Sequence, residues 1–403
     1  MNNPTYIDIF AGCGGLSLGF YNAGYNGVFA IEKNKDAFST LEYNLINNKN
    51  HYNWPDWLPL CEHDINELLS NYLEELTSLK GKIQVVAGGP PCQGFSMAGK
   101  RIPNDQRNRL VKSYVKFIRI IQPEAVIFEN VHGFTVKFKQ KNGKEKVYSN
   151  YIINALRRAG YKTDFRIITM SDFGVPQSRK RFILVAFKNH NPKDFFDILS
   201  KNKNSFLTKL NLHIPITASE AISDLERING TVVSPDTKNF SAGIYGPVTS
   251  PYQALMRRNN LIEPDAAVDS HRFVNHSKSI IDLHNALLQI DSIKGKRITP
   301  SDNYVEGLKR RGVTVLDANK VTPTITSIPD ELIHYSEPRI LTVREHARIQ
   351  SFPDWYQFKG KYTSGGKRRK QEVPRYTQVG NAVPPLFSEQ LGYALKEVLN
   401  NGK

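Results

Sequence analysis

Apolar and polar residues change period along this chain, and the change divides it. Over the first 190 residues short apolar runs alternate with amphipathic stretches. The runs are 5–10 (Thr-Tyr-Ile-Asp-Ile-Phe), 28–31 (Val-Phe-Ala-Ile), 83–87 (Ile-Gln-Val-Val-Ala), 125–128 (Ala-Val-Ile-Phe), 165–168 and 181–187. Each has the length of a buried strand. Stretch 60–65 is a poor strand by pattern, yet it falls where a third strand is due. Between the runs, helical spacing predicts helices over 34–48 (Ala37, Phe38, Leu41, Leu45 and Ile46 on one stripe), 65–79, 110–121 and 147–159. Strand and helix alternation implies an α/β, doubly wound, Rossmann-like sheet. The gap 171–180 is too short for a crossover helix, so the last two strands are expected to be antiparallel.

From His190 the pattern degrades. Residues 191–335 mix Asn, Ser and Lys with short apolar runs, and one clear helical stripe runs through Ile280, Ile281, Leu287, Leu288 and Ile290. This span reads as a second, smaller and irregular domain. Regularity returns at 343–353, where Thr342 and Glu345 form a capping-box pattern before a short helix ended by Pro353. The chain closes with an amphipathic helix to Leu399. The expected division is 1–189, then 190–375 with a hinge, then 376–403 returning to the first domain. No apolar run of about 18 residues occurs, so no membrane span is expected.

The candidate chemistry lies where strands end. The first strand runs into Ala11-Gly12-Cys13-Gly14-Gly15, a turn whose backbone N–H groups can face a ligand. Glu32 ends the second run, about 20 residues past the glycines, where an acid can hold ribose hydroxyls. Asp64 closes the third segment at the same edge. The fourth run breaks on Gly88-Gly89-Pro90-Pro91 and delivers Cys92 on a stiff turn, followed by a polar loop over 95–108 long enough to act as a lid. Glu129 ends the fifth run beside it, so a nucleophile and an acid share one edge. Arg179 and Arg181 enter the last strand and share a face by period two, a pair suited to a phosphate or a base oxygen. Asn381, after a glycine in an apolar stretch, is expected to make a buried polar contact. No CxxC or HxxxH pair occurs, so no metal is expected.

Charge and cysteines narrow the setting. The formal net charge is +16, with clusters at 137–146 and 359–370, which favours a polyanionic partner. Three cysteines, Cys13, Cys61 and Cys92, argue against a disulfide framework and fit a reducing, cytoplasmic compartment.

Taken in order, the pieces at 8–19, 32, 64, 88–96, 129–131, 177–181, 342–353 and 378–385 resemble the DNA (cytosine-5)-methyltransferases, in particular those of bacterial restriction–modification systems. The resemblance spans the chain except 190–335. It implies S-adenosylmethionine at Phe10, Gly12, Gly14, Glu32, Asp64, Ile65, Pro90, Leu110 and Asn381. It also implies catalysis by Cys92, Glu129, Arg179 and Arg181 on a cytosine flipped from duplex DNA. Residues 190–335 become the target recognition part, a partner endonuclease acts at the same site, and the enzyme is a monomer. Two departures stand out: Lys33 follows the ribose acid, where an aromatic or acidic residue is common, and Ala98 occupies a loop position where some members carry serine. On the residues alone, a dehydrogenase, an RNA cytosine methyltransferase and a non-catalytic DNA-binding protein remain open.

Overall fold

The computed structural model describes residues 3–91, 107–139, 145–260, 263, 265–308, 312–364 and 372–401. Two compact units emerge. Unit 1 comprises 1–169, 180–204 and 388–403, and unit 2 comprises 170–179 and 205–387.

Unit 1 opens with β1 (Thr5–Ile9), α1 (Gly15–Asn22), β2 (Asn26–Ile31) and α2 (Lys35–Leu41). It continues through α3 (Ile65–Asn71), α4 (Leu73–Ser78), β3 (Val85–Gly88), α5 (Arg107–Ile121), β4 (Ala125–Val131), α6 (Tyr148–Arg158), β5 (Lys162–Thr169) and β6 (Lys180–Phe187). The six strands form one sheet in the order β2-β1-β3-β4-β6-β5. Pairings among β1, β2, β3 and β4 are parallel, while β6 is antiparallel to both β4 and β5. The strands are apolar on both faces because helices cover both: on one, Val86, Val126, Phe128 and Leu184 share a core with Leu68, Tyr114, Ile118 and Leu156, and on the other the Tyr6 ring of β1 lies 4.9 Å from that of Phe20 of α1.

Three sequence expectations change. Stretch 60–65 is not a strand. Pro59 immediately precedes it, Cys61 N–H turns back to the Pro59 carbonyl at 3.0 Å, and His63 N–H donates to the Glu32 carbonyl at 2.8 Å. The helix expected over 34–48 is α-helical to Leu41 and then widens to a π-turn at Glu42–Asn47. The helix expected over 65–79 breaks at Tyr72, whose φ of −125° and ψ of 35° leave the helical range.

A further helix, α7 (Pro192–Lys209), fills the span where the pattern degrades. Its Phe195 ring lies 6.5 Å from that of Phe187 in β6, and Arg166 of β5 stands over Phe196 at 5.0 Å. The units accordingly divide at 204/205 and 387/388, against 189/190 and 375/376 on sequence pattern.

Unit 2 is built from short pieces. Among them are α8 (Ala218–Ile222), the hairpin of β7 (Thr231–Val233) and β8 (Ser241–Gly243), α9 (Pro251–Arg257) and α10 (Lys278–Leu288). Three short strands, β9 (Arg297–Ile298), β10 (Val313–Val315) and β11 (Leu332–Ile333), pack a small core of Leu287, Ile293, Ile298, Val315 and Ile333. Then come α11 (Val343–Ile349) and α12 (Arg375–Asn381), and α13 (Pro385–Asn400) carries the chain into unit 1. The capping box before α11 is present: Thr342 Oγ1 accepts the Glu345 N–H at 3.2 Å and Glu345 Oε2 accepts the Thr342 N–H at 2.7 Å. No helix among the described residues is long and apolar enough to cross a membrane.

Candidate active site

Strand register sets the site. Ile9 of β1 pairs with Ile31 of β2 and Gly88 of β3, and Gly88 pairs with Phe128 of β4. Phe10, Glu32 and Gly89, which follow three of these strands, and Glu129, level with them near the end of β4, stand at one carboxyl edge, where open α/β sheets bind ligands. β6 runs the other way, so Arg181 near its start, opposite Val131, reaches the same edge.

The turn after β1 is wound left-handed, with φ of 63° at Phe10, 57° at Gly12 and 87° at Gly14. For a bulky residue such as Phe10 that conformation costs about 1–3 kcal/mol, which the surroundings must outweigh. Ala11 N–H donates to the Ile31 carbonyl at 3.0 Å, and Gly14 N–H to the Ala11 carbonyl at 2.9 Å. A Cβ built on Gly12 meets nothing within 4 Å among the described residues, so the turn's backbone is open there.

Glu32 is joined to this turn. Its carboxylate accepts the Gly12 N–H at 2.9 Å and the Asn34 N–H at 2.7 Å. Burial raises its pKa against the pull of these bonds. Asp64 caps α3 by accepting the Asn66 N–H at 2.7 Å and pairs with Lys33 Nζ at 2.7 Å. Burial works against its charge, but Lys33 and Asn66 outweigh it and hold Asp64 below the usual carboxylate range. Lys33, the departure noted in the sequence, is thus the partner of the acid at the neighbouring position. Ile65 is buried in the core, Leu110 is half-buried on α5, and Ser113 Oγ ties α5 to α3 by donating to Asn66 Oδ1 at 2.6 Å.

Beneath the turn runs a chain of buried hydroxyls with no counterpart in the sequence reading. His51 Nε2 and the Tyr6 hydroxyl lie 2.7 Å apart, Tyr6 donates to Tyr52 at 3.1 Å, and Tyr52 donates to Ser17 Oγ at 2.7 Å. Ser17 in turn donates to Asp8. Burial pushes Asp8 up to about 7, against the Ser17 bond and with help from the Glu32 charge. Because the folded state then holds a proton that the unfolded chain releases, Asp8 lowers stability as pH rises from about 4 to about 7. Asp8→Asn is expected to remove that slope, worth at most about 4 kcal/mol. Urea midpoints of both proteins across pH 4–8 measure the difference.

The second half of the edge is a close approach of backbones. Gly88 has φ of 145°, and a Cβ there would sit 1.9 Å from the Ile9 carbonyl oxygen; one on Gly89 would sit 2.4 Å from that of Glu129. Gly88→Ala is therefore expected to destabilise unit 1 by about 2–3 kcal/mol, read as a lowered midpoint in thermal unfolding. Pro90 is buried, and its carbonyl accepts Asn130 Nδ2 at 3.2 Å. Asn130 was readable only as the middle of Glu-Asn-Val; its place on β4 makes it the brace of the turn that leads to Cys92. Cys92 itself, and the loop 95–108 as far as residue 106, lie outside the described residues. So do Lys141, Lys144 and residues 365–370 of the two basic clusters.

Glu129 and Arg181 form an ion pair, Arg181 Nε to Glu129 Oε1 at 2.9 Å, with the arginine side chain 10% exposed and the glutamate 13%. Arg179 is buried and goes elsewhere. Within unit 2 its Nη1 donates to the Ile325 carbonyl at 3.2 Å and its Nη2 to the Gly380 carbonyl at 3.1 Å. The expected buried contact of Asn381 is corrected by the same geometry. Asn381 is exposed at the end of α12, and the buried polar groups are the neighbouring Gly380 and Ala382 carbonyls, which accept from Arg179 and Gln350. Among the described residues no group of three or more His, Cys, Asp or Glu is placed to hold a metal.

A strand-end glycine turn, an acid in register with it, a Gly-Gly-Pro-Pro approach and a carboxylate–guanidinium pair on adjacent strands define a sheet edge equipped for group transfer. The chain belongs to the C-5 cytosine-specific DNA methylase family, whose model matches residues 5–397. It is a DNA cytosine-5 methyltransferase. It is 32% identical to the type II methyltransferase M.DdeI of Desulfomicrobium norvegicum, over 98% of this chain and 89% of the relative. To M.XorII, a type II methyltransferase of Xanthomonas oryzae pv. oryzae, it is 29% identical over 99% of this chain and 86% of that protein. The fold matches an E. coli prophage protein described as a DNA modification methyltransferase, with a TM-score of 0.65, 24% identity and coverage of 99% and 100% of the two chains.

Proposed function

We propose that the enzyme transfers a methyl group from S-adenosylmethionine to C5 of a cytosine flipped out of duplex DNA, through a covalent adduct with Cys92. The observation that carries this reading is the register of the sheet edge, with Glu129 paired to Arg181 one strand from the turn that leads to Cys92. The donor's site is the glycine turn. Gly12 leaves room in front of its backbone, and Phe10, Gly14 and Glu32 frame it, with Glu32 placed for the ribose. Asp64 and Ile65 serve the adenine, and Pro90, Leu110 and Asn381 complete the set. When bound, S-adenosylmethionine supplies an electrophilic methyl group.

The protein's own residues must make C5 able to accept it. Addition of the Cys92 thiolate to C6 pushes the ring's electrons toward N3 and leaves C5 electron-rich. Glu129, in its protonated form, holds the N3 and exocyclic-amine edge and delivers the proton that N3 gains. Arg181 donates to the base O2, its pairing with Glu129 keeping both side chains ready. Arg179 is a positioning residue, fixing the carbonyls beside Asn381. After C5 is methylated, the N3 proton returns to Glu129, the C5 proton passes to water or hydroxide, and Cys92 departs as the thiolate, which restores the aromatic ring. The ring faces are inaccessible in a stacked duplex, so the base must be extruded first.

Unit 2 acts as the target recognition part, and the basic residues of 359–370 contact phosphates. The type II relatives support a restriction–modification role with a partner endonuclease, and the enzyme acts as a monomer. Incubation of mixed-sequence duplex DNA with isotope-labelled S-adenosylmethionine, followed by nucleoside mass spectrometry, tests the reaction. Label in 5-methylcytosine is expected; label on adenine or on the cytosine amine contradicts the mechanism.

A further inference from the structure

Unit 2 contains a guanidinium in a setting that salt-bridge chemistry does not explain. Arg272 stands over two rings, with its Cζ 4.2 Å from the centre of Phe240 and 3.8 Å from that of Tyr362. Its hydrogen bonding is sparse. Nη1 donates to Thr237 Oγ1 at 3.4 Å, a long bond, and the buried Nε has no partner among the described residues.

The nearby acid is already committed. Asp236 pairs with Arg375 Nη1 at 2.6 Å and accepts from the Tyr362 hydroxyl at 3.1 Å and from Ser234 Oγ at 3.0 Å. Arg375 also stands over Tyr362, at 4.3 Å, and its Nε donates to the Gly360 carbonyl at 2.9 Å. Among the described residues two guanidiniums therefore stand near one paired carboxylate, and one positive charge is left over in a half-buried place. Burial lowers the Arg272 pKa, the sign of a cation short of counter-charge. A cation held this way is costly unless an anion joins it. Ring faces satisfy part of the charge and fix the plane of the fork, which leaves N–H donors for an oxyanion. Arg is the side chain whose geometry fits two oxygens of a phosphate group.

We propose that Arg272 binds a backbone phosphate of duplex DNA, with Phe240 and Tyr362 holding its guanidinium for that contact. The inference rests on the DNA reading above. Phosphate contacts position a duplex without reading its sequence, so the effect should be the same on any duplex.

The test is DNA binding across 50–400 mM KCl, on a duplex containing the methylated site and on one lacking it. Arg272→Gln is expected to reduce the slope of log K against log salt by about 0.9, with equal loss of affinity on both duplexes. Phe240→Leu, which removes a ring and keeps the charge, is expected to preserve the slope. Thermal unfolding of each variant runs in parallel. A folded Arg272→Gln with the wild-type slope reduces Arg272 to a structural clasp between the β7–β8 hairpin and segment 359–364, and overturns the inference. Loss confined to the site-bearing duplex overturns it too, in favour of base reading. If Arg272→Gln does not fold, Arg272→Lys decides: a loss of about fivefold on both duplexes supports the fork, and no loss overturns it. Absence of salt-dependent binding by the wild type would instead count against the DNA reading itself.

Discussion

Glu129→Gln is expected to lower kcat for methyl transfer by about 10²–10⁴-fold while leaving DNA affinity within a few-fold of the wild type. Glutamine keeps the shape and the hydrogen-bonding oxygen, so it can still face Arg181 and the base edge. In the proposed mechanism what it loses is the proton that N3 gains as the thiolate adds. The side chain is only 13% exposed, which denies bulk water an easy path to replace it. The companion change, Arg181→Ala, removes the partner at 2.9 Å and should impair both KM and kcat, since the carboxylate loses its anchor as well as the O2 donor. Single-turnover kinetics separates the two, because binding and chemistry are then read independently. A Glu129→Gln enzyme with wild-type kcat would remove the acid from the mechanism.

Arg348→Met is expected to cost unit 2 about 3–5 kcal/mol. Arg348 on α11 is fully buried and sits between two buried carboxylates. Its Nη2 lies 3.1 Å from Asp224 Oδ2, and Nε and Nη2 both engage Asp354. Nη1 also donates to the Ala221 carbonyl at 3.1 Å. Burial alone would push Asp354 up, but Arg348 prevails and holds it below the usual carboxylate range. Methionine fills the volume and leaves two carboxylates in the interior with their main counter-ion gone. Calorimetry that resolves the transitions of the two units measures the loss. Arg348→Met with an unchanged unit 2 midpoint would mean that Arg344, whose Nη1 lies 3.8 Å from Asp354 Oδ1, and Arg257, whose Nη1 lies 3.5 Å from Asp224 Oδ2, neutralise the two acids without it.

The parts of this enzyme that could be read from sequence are those whose local rule is strong. Strands buried on both faces read as apolar runs whichever way they run, so parallel β1, β2, β3 and β4 and antiparallel β6 are all legible. Strand ends then located Glu32, Glu129 and the Gly88–Gly89 break, and the register confirms that these stand in line. Stretch 60–65 misled because its place in the order, not its pattern, suggested a strand. Helix α7 was lost among Asn and Lys, since only Phe195, Phe196, Leu199 and Leu207 of its 18 residues are buried apolar positions. The contacts that cross long sequence distances could not be read at all. The Lys33–Asp64 pair spans 31 residues, and the Asn130–Pro90 brace spans 40. Arg179 shows the limit most clearly. Period two puts it on one face with Arg181, on either side of exposed Lys180, yet only the fold shows that it is buried and assigns it to carbonyls of residues 325 and 380.

The central claim is that Cys92 attacks the cytosine ring, and one measurement reaches it directly. Duplex DNA in which every cytosine carries fluorine at C5 can accept the thiolate and the methyl group, but it cannot lose a C5 proton, so the adduct stalls. Incubated with S-adenosylmethionine, digested and analysed by mass spectrometry, the wild-type enzyme should yield a nucleotide-bearing peptide modified at Cys92. Cys92→Ala should yield none and should lose at least about 10⁴-fold in turnover on ordinary DNA. Methylated cytosine formed without any stalled adduct, or an adduct on another residue, would contradict the account.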